Sequence, residues 1–144
     1  MIDNITEAIV KAEPVVEDEK RGTVALMGFS INDYQGKKRV FNALNSAESL
    51  DEARKAGGFD TIECEGIILQ PYMETDQLTG EVTEGYGVVF VTADSAYYSR
   101  SFGIARSAQN FVQAFGQWPD ETVTLRFREV QLDNKRSMKD FVIV

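Results

Sequence analysis

The segment from Tyr97 to Phe102 combines the two kinds of side chain that a flat, anionic ligand requires. Its residues, Tyr97-Tyr98-Ser99-Arg100-Ser101-Phe102, place aromatic rings beside a cation. In a β-strand successive side chains point to opposite faces, so Tyr98 shares a face with Arg100 and Tyr97 does not. A base can stack on an exposed ring while arginine neutralises a phosphate. The segment predicts a contact surface for single-stranded nucleic acid, although paired tyrosines in a strand often only pack.

Further stacking and cationic candidates lie within this segment and elsewhere in the chain. Basic residues form three groups: one near Gly36, one on the polar side of a predicted strand, and one at a predicted hairpin tip. Each group alone is typical of a solvated face, and they would act together only if the fold brought them to one surface. The stacking candidates are Phe102, Tyr72, Phe90 and Tyr97, and the cationic candidates are Lys37, Lys38, Arg39, Arg126, Arg128, Lys135 and Arg136.

The composition excludes several kinds of catalytic and metal site. The chain has no histidine, which removes the usual general base near pH 7 and the commonest zinc ligand. Its one cysteine, Cys64, alternates with glutamates in a predicted strand and is expected to be a small core residue. Glu63 and Glu65 flank it and, with Asp94, leave a carboxylate-metal enzyme open as a rival. We expect no catalysis, no cofactor and no metal.

The acidic balance of the chain limits how it can bind nucleic acid. The net charge is −8, which is unlike that of a simple basic nucleic-acid binder. Residues 1–20 hold six acids and two lysines, so residues 21–144 carry only −4. A locally basic groove is compatible with this total, because the field at the site matters more than the overall charge. We therefore expect a modest, salt-sensitive affinity.

The chain also lacks the signals of membrane or secreted proteins. No apolar run approaches the roughly 20 residues that span a bilayer. The first residues show neither the basic region nor the apolar region of a secretory signal. We expect a cytoplasmic protein with no membrane contact.

Hydrophobic periodicity predicts a mainly β domain with one long internal helix. Residues 103–116 carry apolar side chains at helical spacing. Ser49 is expected to cap a shorter helix that Gly57 and Gly58 end. Strands are predicted at residues 23–31 resuming at 38–44, at 61–72 with a bulge at Gly66, at 86–92 continuing through 96–100, at 121–130 and at 138–144, with a polar loop at 75–85. Three strands, a helix and two strands is the order of the OB-fold, a five-stranded Greek-key barrel.

Residues 1–20 are predicted to form an arm outside the OB-fold domain, which spans residues 21–144. Apolar residues recur in the arm at three- and four-residue spacing until Pro14, which predicts a short amphipathic helix. Such a helix is marginal in water, so its apolar face needs a partner surface. Either residues 1–14 dock on a neighbouring subunit and make a homo-oligomer, or they rest on their own domain.

Three stretches of the chain resemble small single-stranded DNA-binding proteins of Gram-positive phages and conjugative plasmids. The resemblance covers residues 21–144 and implies an OB-fold, binding of DNA without base preference, and association along a strand. The stretches that carry it are GIILQPYMETDQLTGE (66–81), VVFVTADSAYYSRSFGIARS (88–107) and FVQAFGQWPDETVTLRFREVQ (111–131).

We interpret the chain as an OB-fold protein that coats single-stranded DNA during plasmid transfer or replication. Tyr98 would stack on bases with help from Phe102, Tyr72 or Phe90, and the basic residues would neutralise phosphates. The alternative is an OB module that binds another protein and uses the N-terminal arm for oligomerisation or partner docking.

Overall fold

A computed structural model of the chain describes residues 25–28, 33–132 and 136–144. Within these residues the protein is mainly β, with two sheets and three helices. No helix among them is long and apolar enough to cross a membrane. The strands are β1 (Ala25–Met27), β2 (Glu48–Ser49), β3 (Thr61–Cys64), β4 (Gly66–Thr75), β5 (Val82–Val91), β6 (Ala96–Ser99), β7 (Val123–Gln131) and β8 (Ser137–Ile143). The helices are α1 (Tyr34–Ser46), α2 (Leu50–Gly57) and α3 (Phe102–Phe115).

The strands form a five-stranded sheet in the order β1-β4-β5-β6-β2 and a three-stranded sheet in the order β3-β7-β8. All neighbours are antiparallel except β2 and β6. Glu65 alone separates β3 from β4, so one bent segment belongs to both sheets. At this bend the Glu65 amide donates to the Val91 carbonyl over 2.7 Å. Gly28, at φ +95°, packs against the backbone of this bend. A Cβ at Gly28 would come within 2.6 Å of the Glu65 carbonyl oxygen.

The main core lies between the inner faces of the two sheets. Phe90 of β5 is fully buried, and its ring contacts Phe127 and Phe141 of the three-stranded sheet at centroid distances of 5.2 and 5.3 Å. Both contacts are edge-to-face, the geometry that aromatic pairs prefer. Cys64 belongs to this core, as the sequence predicts, and burial raises the pKa of its thiol to about 12. The thiol is therefore neutral at physiological pH and unsuited to nucleophilic attack.

Helix α1 covers part of the outer face of the five-stranded sheet. Val40, Ala43, Leu44 and Ala47 pack there against a second core cluster. Their spacing of three and four residues is that of one helix face. Asp33 caps the helix, since its side chain accepts from the Gly36 amide over 2.7 Å. The sheet contributes Ile68, Val89, Val91 and Ala96 to this cluster.

Helix α1 corrects the predicted first strand, because residues 38–44 are helical. The helical spacing of Val40, Ala43 and Leu44 and the Asp33 cap decide the local conformation. The part of that strand that the structure describes is β1, which pairs with β4. Residues 1–20, with the predicted arm, lie outside the described residues.

The other predicted elements are found with shifted ends. The helix at 50–57 is α2, where the Ser49 hydroxyl accepts from the Glu52 amide and Gly58 adopts φ +68°. The predicted loop at 75–85 is shorter, because β4 and β5 extend into it. The turn between them is held by Asp76, whose carboxylate accepts from the Leu78 and Thr79 amides over 2.7 and 3.2 Å.

The sequence predicts a Greek-key barrel of five strands with one helix. Within the described residues the structure instead has two sheets that do not close into a barrel, and three helices. Strands β6 and β8 are not hydrogen-bonded neighbours there. Helix α3 instead packs against β8, β5 and β4. Its first turn lies directly on the β8 backbone at Gly103, where a Cβ would overlap the Lys139 carbonyl oxygen. Glycine is required at this position by close packing.

We predict that Gly103→Ala lowers the free energy of unfolding by at least about 2 kcal/mol, because the methyl group would displace helix or strand backbone. Urea unfolding followed by circular dichroism measures this change. Asn110→Ala, at an exposed position of the same helix, is the control and should change stability little. An unaltered midpoint for Gly103→Ala would show that α3 does not rest on β8 in this way.

Candidate nucleic-acid interface

The pairing of β5 with β6 decides where the two tyrosines point. Tyr98 lies opposite Val89 and Tyr97 opposite Phe90. Because paired residues share a face, Tyr98 joins the outer face of the five-stranded sheet and Tyr97 the inner face. Tyr98 is 44% exposed, whereas Tyr97 is half-buried with its ring 5.7 Å from that of Phe59. Tyr98 is thus the tyrosine that is available for stacking.

Two serines shape the turn that carries Arg100. The Ser99 hydroxyl is buried and accepts from the Ser101 amide over 3.1 Å. The Ser101 hydroxyl accepts from the Ile104 amide over 3.4 Å and caps α3. Between them Arg100 is exposed, and its Cγ lies 4.0 Å from where a Cβ of Gly87 would be. Arg100 therefore extends over β5 on the face that Tyr98 occupies.

Helix α1 covers one part of the outer face of the five-stranded sheet and leaves another part open. Tyr98 lies next to the covered part. Beyond α1, Gln70 pairs with Gly87, and both share the outer face with Ile68 and Val89. We call Gln70, Gly87, Tyr98 and Arg100 the open face. It offers a ring, a cation and an amide around a position without a side chain.

The comparison with family models identifies the kind of protein to which this chain belongs. Residues 19–144 match the model of the phage single-stranded DNA-binding protein family. The chain belongs to this family. It is a single-stranded DNA-binding protein, and the match includes every residue of the open face. No curated protein and no solved structure gives a match.

The other stacking candidates are distributed differently. Phe90 is fully buried between the sheets, so the expectation that it stacks on bases is wrong for this conformation. Tyr97 packs on Phe59 at the edge of the core and is largely withdrawn from the surface. Phe102 is 78% exposed at the first turn of α3, directly after Arg100 and Ser101. The side chain of Tyr72 lies outside the described part of the chain, although its backbone pairs with Gly85.

The first basic group lies on α1 rather than at the bend of a strand. Lys37 and Lys38 are exposed on the helix. Arg39 forms an ion pair with Glu65 and donates to the Thr92 carbonyl over 3.3 Å. Arg39 thus ties α1 to the bend between the two sheets, which is a structural contact.

The second basic group lies on the outer face of the other sheet. Arg126 and Arg128 are exposed on β7, with the core between them and the open face. Arg128 makes two hydrogen bonds to Asp140 of β8, at 3.0 and 2.8 Å. Arg136 is exposed, and Lys135 lies outside the described residues. The predicted meeting of all cations on one surface is not found among the described side chains.

The carboxylates of the rival enzyme hypothesis line one groove. Its volume is about 510 Å³, and its walls include Glu63, Glu65 and Asp94. Glu63 accepts from the Thr124 hydroxyl over 2.9 Å, and Glu65 is paired with Arg39. Across the part of the chain that the structure describes, no group of acids or cysteine is arranged to hold a metal ion.

Sequence reasoning missed Gln70 and Gly87, which the sheet register brings beside Tyr98 and Arg100. A signal for Gly87 was present. Glycine weakens a strand interior and often marks a point where a ligand approaches the backbone closely. The Gly-Tyr-Gly sequence at residues 85–87 places two such positions on one strand face.

We predict that Asp140→Asn makes the stability less dependent on pH in the acid range. The Arg128 guanidinium lowers the pKa of the Asp140 carboxyl through two hydrogen bonds and its charge. A lowered folded-state pKa stabilises the protein above the unfolded-state pKa, and this contribution is lost as the pH falls through the folded value. The variant should therefore be less stable than the parent at pH 7, with the difference disappearing as the pH falls below the folded-state pKa of Asp140.

Urea unfolding at a series of pH values measures this effect. Glu129→Gln, at an exposed position of β7, is the control for the loss of one negative charge. A constant difference between Asp140→Asn and the parent at all pH values would contradict the ion pair.

Proposed function

We propose that the protein binds single-stranded DNA without sequence preference through the open face of the five-stranded sheet. The observation that carries the proposal is the exposed Tyr98 ring on the same face as the Arg100 side chain. Every base has a flat face and every nucleotide a phosphate, so a ring and a cation recognise features that do not vary with sequence. Phe102, exposed four residues after Tyr98, extends the aromatic surface.

The connectivity of residues 61–143 supports an OB-type arrangement of the DNA-binding core. The bent segment β3–β4 acts as the first strand, since it pairs with β7 on one side of Glu65 and with β5 on the other. Strands β5 and β6 follow as second and third, α3 comes next, and β7 and β8 are fourth and fifth. This order of strands and helix is that of an OB-fold, and the proposed OB-type core would begin later in the chain than the sequence predicts.

The proposed role is to coat and protect single strands during plasmid transfer or replication. Coating requires that neighbouring proteins occupy successive stretches of one strand, and residues 1–14 are proposed to join them. The net charge supports a modest interaction that weakens as the salt concentration rises. A local basic region must attract the phosphates against repulsion from the acidic remainder of the protein, and salt screens this attraction.

We predict that Tyr98→Ala weakens binding of oligo-dT, because the base loses its stacking partner. One stacked base contributes about 1–3 kcal/mol, which corresponds to a roughly 5- to 150-fold loss of affinity. Fluorescence anisotropy with labelled oligo-dT measures it. Tyr86→Ala is the matched control, since Tyr86 is 42% exposed but lies on the opposite face of the sheet. Equal affinities for both variants would place the DNA elsewhere.

We predict that Arg100→Ala reduces the dependence of affinity on salt. For single strands the logarithmic slope changes by about 0.7 for each phosphate that the protein no longer neutralises. Anisotropy titrations at several salt concentrations give the slope. Arg128→Ala is the control, because this arginine lies on β7 of the other sheet. A larger change of slope for Arg128→Ala than for Arg100→Ala would assign the phosphate path to the three-stranded sheet.

A further inference from the structure

Gly87 occupies the centre of the open face, in a position where a side chain is expected. It lies within β5 and is flanked by β4 through Gln70 and by the continuation of β6 at Arg100. Gly85 precedes it by two residues and therefore faces the same way. The outer face of β5 thus changes from the apolar Val89, beneath α1, to two positions with no side chain.

Neither the backbone nor the packing requires glycine at position 87. Its φ does not fall in the left-handed region that side chains avoid. A Cβ there would lie 3.6 Å from the Gln70 oxygen and 4.0 Å from both Arg100 Cγ and the Ser99 oxygen, all ordinary van der Waals distances. Gly103 is the contrast, since a Cβ at that position would overlap the Lys139 backbone.

Glycine nevertheless weakens a strand, because it has more conformational freedom to lose and no side chain to pack. A β-branched residue at position 87 would favour the strand conformation. A glycine that the fold does not need is explained when a ligand occupies the space that a side chain would fill. The neighbouring Tyr98 ring and Arg100 guanidinium suit a planar, anionic ligand.

We propose that Gly87, together with Gly85, forms a bare floor on which a nucleobase lies flat against the β5 backbone between Tyr98 and Arg100. The inference rests on the proposed function and goes further, because it assigns the base rather than the phosphate to the centre of the open face. Gly87 is a positioning residue that admits the ring. A side chain there would lift the base away from the sheet and from Tyr98.

The test compares Gly87→Ala and Gly87→Val with the parent protein in two measurements. Urea unfolding should show stability that is unchanged or higher in both variants. Anisotropy should show that Gly87→Val binds oligo-dT about tenfold or more weakly, the effect expected when one base no longer stacks, and that Gly87→Ala is intermediate. The salt slope should be unchanged, because Arg100 still neutralises its phosphate.

An abasic oligonucleotide of the same length separates recognition of the bases from recognition of the phosphates. It retains the phosphates, so the parent and Gly87→Val should bind it equally. Thr83→Val is the control: it places a valine at another position of the same exposed face of the same strand, about 14 Å from Gly87. This control should bind oligo-dT as the parent does.

Three results would overturn the inference. The first is that Gly87→Val binds oligo-dT as tightly as the parent while Tyr98→Ala binds weakly. In that case no base lies on the backbone at Gly87, and the proposed function stands. If neither variant changes affinity, the open face itself is not the DNA site. If both Gly87 variants unfold at lower urea, packing requires the glycine and no ligand is needed to explain it.

Discussion

The bend at Glu65 is the constraint on which the arrangement of the molecule depends. One continuous segment supplies a strand to each sheet, so the two sheets meet at the bend. Their inner faces enclose the core around Phe90. The bend is held from three directions: by the Val91 carbonyl, by Gly28 against the Glu65 backbone, and by Arg39 through its ion pair. Since Arg39 belongs to α1, the same ion pair anchors the helix that covers part of the outer face of the five-stranded sheet.

This arrangement separates the stabilising residues from the proposed binding residues on a single strand. The inner face of β5 contributes Val88 and Phe90 to the main core, while its outer face runs from Val89 beneath α1 to Gly87 in the open. The proposed binding surface thus begins where the cover of α1 ends. Tyr98 lies at this boundary, with Val89 opposite it on β5. The rigid support of a packed strand favours stacking, because less side-chain freedom is lost when a base binds.

The basic side chains show the same separation between residues that stabilise the fold and residues proposed to bind DNA. Arg39, Arg128 and Lys139 all make ion pairs with carboxylates that join separate elements, and such pairs hold the fold rather than attract DNA. The open face itself includes one cation, Arg100, in a chain whose net charge is −8. The proposed binding mode therefore combines base stacking with neutralisation of phosphates, and stacking is the part to which Gly87 is proposed to contribute.

The sequence alone determined the elements whose signals are local. The periodicity of residues 103–116, the Ser49 cap and the opposite directions of Tyr97 and Tyr98 depend on neighbouring residues and match the structure. Helical spacing in residues 34–46 was also present, but its apolar residues equally suggested a strand. Only the tertiary structure decided which strand carries the bend, that Phe90 is buried, and that Arg126 and Arg128 face away from Tyr98. These are consequences of pairing between distant segments, and a pattern of neighbouring residues does not contain the register of that pairing.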